Sequence, residues 1–232
     1  MSNLLTHEEY SAIANSLSFP TNAFINGQFQ SSKSGKTFET INPATGNVIA
    51  KVAACNADDV DHAVIKAREV FDQGHWSKLH PSERKKVLIK FSKLIQRNLN
   101  ELAVMESVDS GKPVRDCATI DLPETIDCLL WHAEAIDKIY DQTAPAGEDA
   151  LSVIVREPVG VVGCVLPWNF PLLMMAWKIA PALATGNSVI VKPAEQTSLT
   201  ALRLAELAID AGLPRGVLNV IPGMGPDVGE PI

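Results

Sequence analysis

A few residues in the chain have types and spacings suited to chemistry. Asn169 stands in Pro167-Trp168-Asn169-Phe170-Pro171, an amide between two aromatic residues and two prolines. Each proline fixes its own φ and keeps the preceding residue out of the helical region, so the loop is stiff. An uncharged amide on a stiff loop is a pre-aligned donor for an oxygen that gains negative charge, a role that lowers a barrier by roughly 3–4 kcal/mol. Asparagine more often satisfies the backbone of its own loop, and the residues alone favour that use. Lys192 and Glu195 place a cation and a carboxylate three apart, just after the apolar run Ser188-Val189-Ile190-Val191. Glu195 stands at the carboxyl end of a strand, where open α/β sheets bind ligands, or it complements the dipole of a helix that follows. Asp121 and Glu124 share one face of a helical segment and suit a cationic amine, or they are two solvated acids.

Other reactive types carry less. Gly223, Gly225 and Gly229 give G-x-G-x-x-x-G, one residue off the dinucleotide fingerprint and on the wrong strand for it, so a plain glycine-rich turn is the competing reading. Cys55, Cys117, Cys128 and Cys164 are widely spaced without a C-x-x-C pair, which indicates neither a zinc site nor a disulfide framework. Cys164 lies in an apolar run where burial raises a thiol's pKa. His132 is a lone histidine on an apolar stretch, expected in the core or on the surface.

The elements that must position these residues follow from periodicity. Val159–Leu166 is a β-branched run, expected as a strand buried on both faces. Leu172–Thr185 is apolar almost all round, as a covered helix is, and Gly186 stops it. Ser188–Val191 is the next buried strand, Ser198–Ala211 an amphipathic helix stopped by Gly212, and Val217–Ile221 a third strand. Strand, helix, strand, helix, strand is half of a Rossmann-like unit with a parallel sheet, at whose carboxyl edge ligands bind.

Upstream, residues 1–20 are expected as a helical docking arm with Leu4, Tyr10, Ile13 and Leu17 in register. Asn26-Gly27 signals a hairpin and Asn42–Gly46 another turn, together a small antiparallel meander. Asn56 caps a helix that ends at Gln73 before Gly74. Pro81 opens another, on which Arg84-Lys85-Lys86 reads as a solvated face. Asn100 is read as a cap for a helix ending near Ser110-Gly111, and a long helical segment runs from about Asp116 to Tyr140, kinked near Pro123. Leu151–Val155 is an edge strand open to augmentation.

Composition bounds the partners. The 232 residues are 46% hydrophobic and 20% charged, ordinary for a globular protein, with a formal charge of −7. Neither a basic stripe nor a polybasic tail is present, which argues against nucleic acid and anionic membranes. No roughly 18-residue apolar run and no signal-peptide pattern occurs, so the cytoplasm is expected.

PWNFP, then a helix, then GNSVIVKPAEQT, closely resembles the NAD(P)-dependent aldehyde dehydrogenase superfamily. The likeness extends from Phe24-Ile25-Asn26-Gly27 through Ser110-Gly111-Lys112-Pro113 and Arg156–Gly160 to Gly223-Met224-Gly225. Glu134–Tyr140 is worded most like the dehydrogenases of ω-amino and γ-glutamylamino aldehydes. The resemblance implies an α/β Rossmann-like fold with helices on both faces, an N-terminal meander and an oligomerisation strand. It divides the chain into an arm (1–20), a meander and helical part (21–140), an oligomerisation segment (141–158) and the first half of an NAD-binding domain (159–232). It makes Asn169 the oxyanion donor and Trp168 a wall of the aldehyde tunnel. Leu166, Pro167, Trp168, Lys192, Glu195, Gly225 and Gly229 become NAD contacts, with Glu195 favouring NAD over NADP because a carboxylate repels a 2′-phosphate. Asp121 and Glu124 border the substrate entrance, no metal is needed, and a homodimer or homotetramer is expected. The family's nucleophilic cysteine and general-base glutamate have no match in these residues, so no turnover is expected of this chain by itself. A non-catalytic nucleotide-binding module and a subunit-interaction fragment are the alternatives.

Overall fold

Local capping and turn chemistry start most of the elements. In the computed structural model, which describes residues 4–232, helix α1 (His7–Ser16) opens with a capping box. The Thr6 hydroxyl accepts from the Glu9 N–H at 3.2 Å, and the Glu9 carboxylate accepts from the Thr6 N–H at 2.8 Å. Residues 1–3 of the expected arm lie outside the described residues. Strands β1 (Ala23–Ile25) and β2 (Gln28–Gln30) are joined by Asn26-Gly27 at φ 51° and 72°, the paired positive φ of a tight hairpin turn. β3 (Thr37–Ile41) and β4 (Val48–Ala53) form a separate antiparallel ribbon. The single meander read from the sequence is therefore split, because β1 turns away to pair with the central sheet.

Asn56 caps α2 (Ala57–Gln73) through bonds from Asp58 and Asp59, and Gly74 ends it at φ 79°. α3 (Pro81–Arg97) starts at its proline as expected. α4 (Leu99–Ser110) begins two residues earlier than read, since Asn98 rather than Asn100 precedes it. The one-turn α5 (Val114–Asp116) runs through a wide π turn at Cys117–Asp121 into α6 (Leu122–Ala135) and a last 3-10 turn at Ile136–Lys138. Pro123, which has no N–H to give, follows closely on the π turn at Cys117–Asp121, and that turn is the irregularity expected near it. β5 (Gln142–Ala144) and β6 (Ser152–Ile154) pair as an exposed two-stranded ribbon.

The remaining elements are β7 (Val161–Val165), α7 (Pro171–Ala184), β8 (Ser188–Lys192), α8 (Leu199–Ala211) and β9 (Leu218–Val220), closed by a turn at Gly225–Gly229. The sheet order is β2-β1-β9-β8-β7, with β7, β8 and β9 parallel. Alternation along β8 decides the layers. Val189 and Val191 join the larger core with residues of α3, α6, α7 and α8, while Ile190 packs with Val60, Ala63 and Ala67 of α2. Helices thus cover both faces, each fully buried aliphatic side chain contributing about 1.5–3 kcal/mol.

Two expectations fail here for identifiable reasons. β7 is not buried on both faces: it is the outermost strand, with β8 its only partner among the described residues, and Val165 is 54% exposed. Arg84 is not part of a solvated face. Its Nε donates to the Ala184 carbonyl at 3.3 Å, meeting the last turn of α7 where the helix dipole favours a cation, and burial lowers its pKa.

Candidate active site

The carboxyl ends of β7 and β8 bring the two most suggestive segments together. The Leu166 N–H donates to the Lys192 carbonyl at 3.0 Å, extending the parallel ladder into the Pro167–Pro171 loop. Thr197 Oγ donates to the Trp168 carbonyl at 3.4 Å, tying that loop to the segment after β8. Asn169 is exposed, and among the described residues its side chain makes no hydrogen bond. The loop-satisfying use of this amide is not the one observed. Trp168 is 58% exposed rather than packed in the core. Leu166 is buried and Pro167 exposed at the loop's start. Trp168 and Glu195 line a cavity of about 500 Å³ together with Gln196, Thr197 and Met224.

Lys192 reaches Glu195 at 2.7 Å, the lysine side chain 3% exposed and the carboxylate 32%. Burial acts to raise the Glu195 pKa, but its bonds from Lys192 and from the backbone outweigh it and hold the carboxyl below its ordinary value. Glu195 is not a first-turn residue of α8, which starts at Leu199. That helix's first N–H is met by Asp109, whose Oδ2 accepts from Leu199 at 3.0 Å while Oδ1 accepts from Thr40. Burial pushes Asp109 up to about 6. The carboxylate of Glu195 thus keeps one oxygen for a ligand.

Gly225 and Gly229 begin and end the turn after β9, and a side chain added at either would meet nothing within 4 Å. They leave open backbone facing solvent. The position that requires glycine is Gly223, where a Cβ would lie 2.9 Å from the Cys55 carbonyl.

Asp121 and Glu124 are not the adjacent acids expected. Asp121 is 1% exposed and ion-paired with Lys112, whereas Glu124 faces solvent. Asp121 has α-helical φ and ψ leading into α6, so the two positions lie near each other on the helix but on opposite sides of the boundary between its buried and its solvent face. Beside this pair lies Glu106, fully buried, which spacing arguments passed over. Burial, reinforced by the facing Asp121, pushes it up to about 8. The signal was available: Leu102, Ala103, Val104 and Met105 precede it, all four buried, so the helix is covered all round at that level.

Burial holds the Cys117 and Cys164 thiols in their protonated form. Burial pushes Cys164 up to about 11 and Cys117 to about 12, so neither supplies a thiolate at neutral pH. His132 Nδ1 bonds the Cys128 carbonyl at 2.9 Å within its own helix. Among the described residues no cluster of three or more His, Cys, Asp or Glu side chains could hold a metal, and no helix is long and apolar enough to cross a membrane.

The model of the aldehyde dehydrogenase family matches residues 29–232. The chain belongs to the aldehyde dehydrogenase family. It is 61% identical over 232 residues to the aminoacetaldehyde dehydrogenase of Pseudomonas aeruginosa, covering 100% of this chain and 47% of that protein. It is 47% identical to the NADP/NAD-dependent aldehyde dehydrogenase PuuC of Escherichia coli, over 93% of this chain and 43% of that one. A mutant of the P. syringae AldA indole-3-acetaldehyde dehydrogenase, solved with NAD+ and IAA, superposes with a TM-score of 0.97 at 48% identity, over 98% of this chain and 46% of that one. This aldehyde dehydrogenase chain spans about half the length of the relatives it matches.

Proposed function

We propose that these residues form the coenzyme-binding and oxyanion-stabilising half of an NAD-dependent aldehyde dehydrogenase that oxidises an ω-amino aldehyde to its carboxylic acid. The observation that carries this reading is the free Asn169 amide, exposed on a stiff loop that is tied to the segment bearing Lys192 and Glu195. When a nucleophile adds to an aldehyde, the carbonyl oxygen becomes an oxyanion. The Asn169 N–H donates to it at a cost in reorganisation that the two flanking prolines have already removed. Trp168, largely exposed beside it, offers an apolar wall for the rest of the aldehyde.

The residues present fit NAD. Glu195 has an oxygen free to accept from ribose hydroxyls, Lys192 fixes that carboxylate, and Gly225 and Gly229 leave backbone uncovered for a close approach. Leu166 and Pro167 complete the wall at the loop's start. When bound, NAD supplies the hydride acceptor. Glu195 disfavours a 2′-phosphate, so NAD is preferred over NADP.

The choice of an amino aldehyde rests on the 61% identity to a protein named for aminoacetaldehyde. Of the two acids considered for a cationic group, Glu124 alone is exposed to receive one. We place the complete protein in the cytoplasm as a homodimer or homotetramer that pairs through the β5–β6 ribbon, every residue of β6 being exposed. Aldehyde-dependent NADH formation by the complete protein, compared between amino and uncharged aldehydes of equal length, tests the function. No NADH with any aldehyde refutes it.

A further inference from the structure

The loop that carries Asn169 is held from beneath by a buried group of charges belonging to other elements. α7 has no side-chain cap of its own, since Phe170 cannot supply one. Instead Glu106, reaching over from α4, accepts from the Leu172 N–H at 3.3 Å through Oε2. This satisfies one of the donors that a helix start leaves open. The other oxygen of Glu106, Oε1, is buried without a partner among the described residues. Such an orphan is costly when the group is an ionised carboxylate. Asp121 faces Glu106 from the π turn, and its charge opposes ionisation of the Glu106 carboxyl. Asp121 in turn pairs with Lys112, whose Nζ stands 3.5 Å from the centroid of the Phe170 ring. Lys112 is itself fixed through its backbone: its carbonyl accepts from Ser107 Oγ at 2.6 Å.

We propose that Glu106, Asp121 and Lys112 form a buried clamp, neutral overall because Glu106 keeps its proton and donates it to Asp121, which fixes the Asn169 loop by gripping Phe170 and Leu172. Glu106 is then a positioning residue for Asn169 and touches neither substrate nor coenzyme. The arrangement gives each member of the group a partner: the proton gives Glu106 a bond to make, Asp121 keeps its lysine, and Lys112 also has the aromatic face. Upstream of Asn169 the loop is held by Thr197 at the Trp168 carbonyl, so the amide lies between two fixed points. The upward pKa of Glu106 agrees with a retained proton. The inference rests on the proposed oxyanion role of Asn169.

Glu106→Gln and Glu106→Leu, made in the full-length protein, separate this clamp from mere packing. Glutamine reproduces a protonated acid, with an oxygen for Leu172 and an N–H for Asp121; leucine keeps volume and neither bond. The clamp predicts that Glu106→Leu lowers kcat roughly ten- to a hundredfold, as small misplacements of a catalytic group do, with NAD affinity unchanged. Amide exchange at residues 168–172 should quicken in the same variant while that of β8 stays as in the wild type. Glu106→Gln should match the wild type in both. A glutamine variant as impaired as the leucine one, or unchanged exchange at 168–172 in Glu106→Leu, overturns the proposal. Should Glu106→Leu fail to fold, Lys112→Met decides: wild-type kcat and exchange there also overturn it. A wild-type protein that oxidises no aldehyde refutes the proposed function, while exchange at 168–172 still judges the clamp.

Discussion

Glu195 and Cys164 show how surroundings, not residue type, set what a side chain can do. Glu195 is one-third exposed and fixed by Lys192, so its carboxylate is both charged and available. Glu195→Gln keeps an acceptor but removes the charge that repels a 2′-phosphate; the ratio of kcat/KM for NADP to that for NAD should rise roughly tenfold or more, the size expected for one charged contact. An unchanged ratio would remove Glu195 from coenzyme selection. Cys164 is 6% exposed with its thiol held near 11. It should resist iodoacetamide at neutral pH in the folded protein and react after denaturation, and Cys164→Ala should leave turnover as it was. At this scale the sequence was a good guide where a residue's setting depends on its immediate neighbours. The stiff loop around Asn169 and the Lys192-Pro193-Ala194-Glu195 strand end were legible as local features, whereas the uses proposed for them came from the family resemblance and not from local chemistry. Asp121 and Arg84 were misread because their partners, Lys112 and the Ala184 carbonyl, come from elsewhere in the fold. Spacing along one helix does not reveal which of its neighbouring positions another element will cover.

Elements were read most closely where a cap or a glycine announces their ends. The Asn56 cap and the Gly74 stop mark the two ends of α2. Asn56→Ala should cost about 1 kcal/mol, a shift of roughly 2–4 °C in Tm for a protein of this size. Calorimetry showing no shift would mean that the cap is replaced by water. Strand exposure was less legible, because a β-branched run such as Val159–Leu166 looks the same at an edge as at the centre of a sheet. Buried acids give the elements a pH dependence of definite sign. Glu106 on α4 holds its proton up to about 8 and Asp109 up to about 6, while the unfolded chain releases them near 4.5 and 3.8. Between those limits the native state binds more protons than the unfolded one, so stability falls as pH rises through the window. Asp137, lowered to about 2 by Lys138 and Lys85, acts only below it. The urea midpoint should therefore be higher at about pH 5 than at about pH 8. Glu106→Gln should flatten that difference, and an equally steep profile in the variant would mean that other groups carry it.

On the scale of the whole molecule, the parallel order β9-β8-β7 and the helices on both faces follow from strand–helix alternation, whereas the joining of β1 to β9 does not. A hairpin signal fixes its own turn but not the sheet edge it meets. The β5–β6 ribbon projects with Leu151, Val153, Ile154 and Val155 all exposed, a surface of the kind that pairs with another strand. Val153→Pro should reduce the assembly to a smaller species by light scattering while leaving NAD affinity intact; an unchanged mass would exclude this ribbon as the contact. The whole account turns on Asn169. The most direct measurement is steady-state NADH formation from an amino aldehyde by the complete protein, wild type against Asn169→Ala, with NAD affinity determined in parallel. The account predicts a fall of roughly 10²–10³ in kcat with NAD affinity unchanged, the signature of a donor used only once the oxyanion has formed. Turnover retained by Asn169→Ala, or lost only in step with NAD binding, would contradict it.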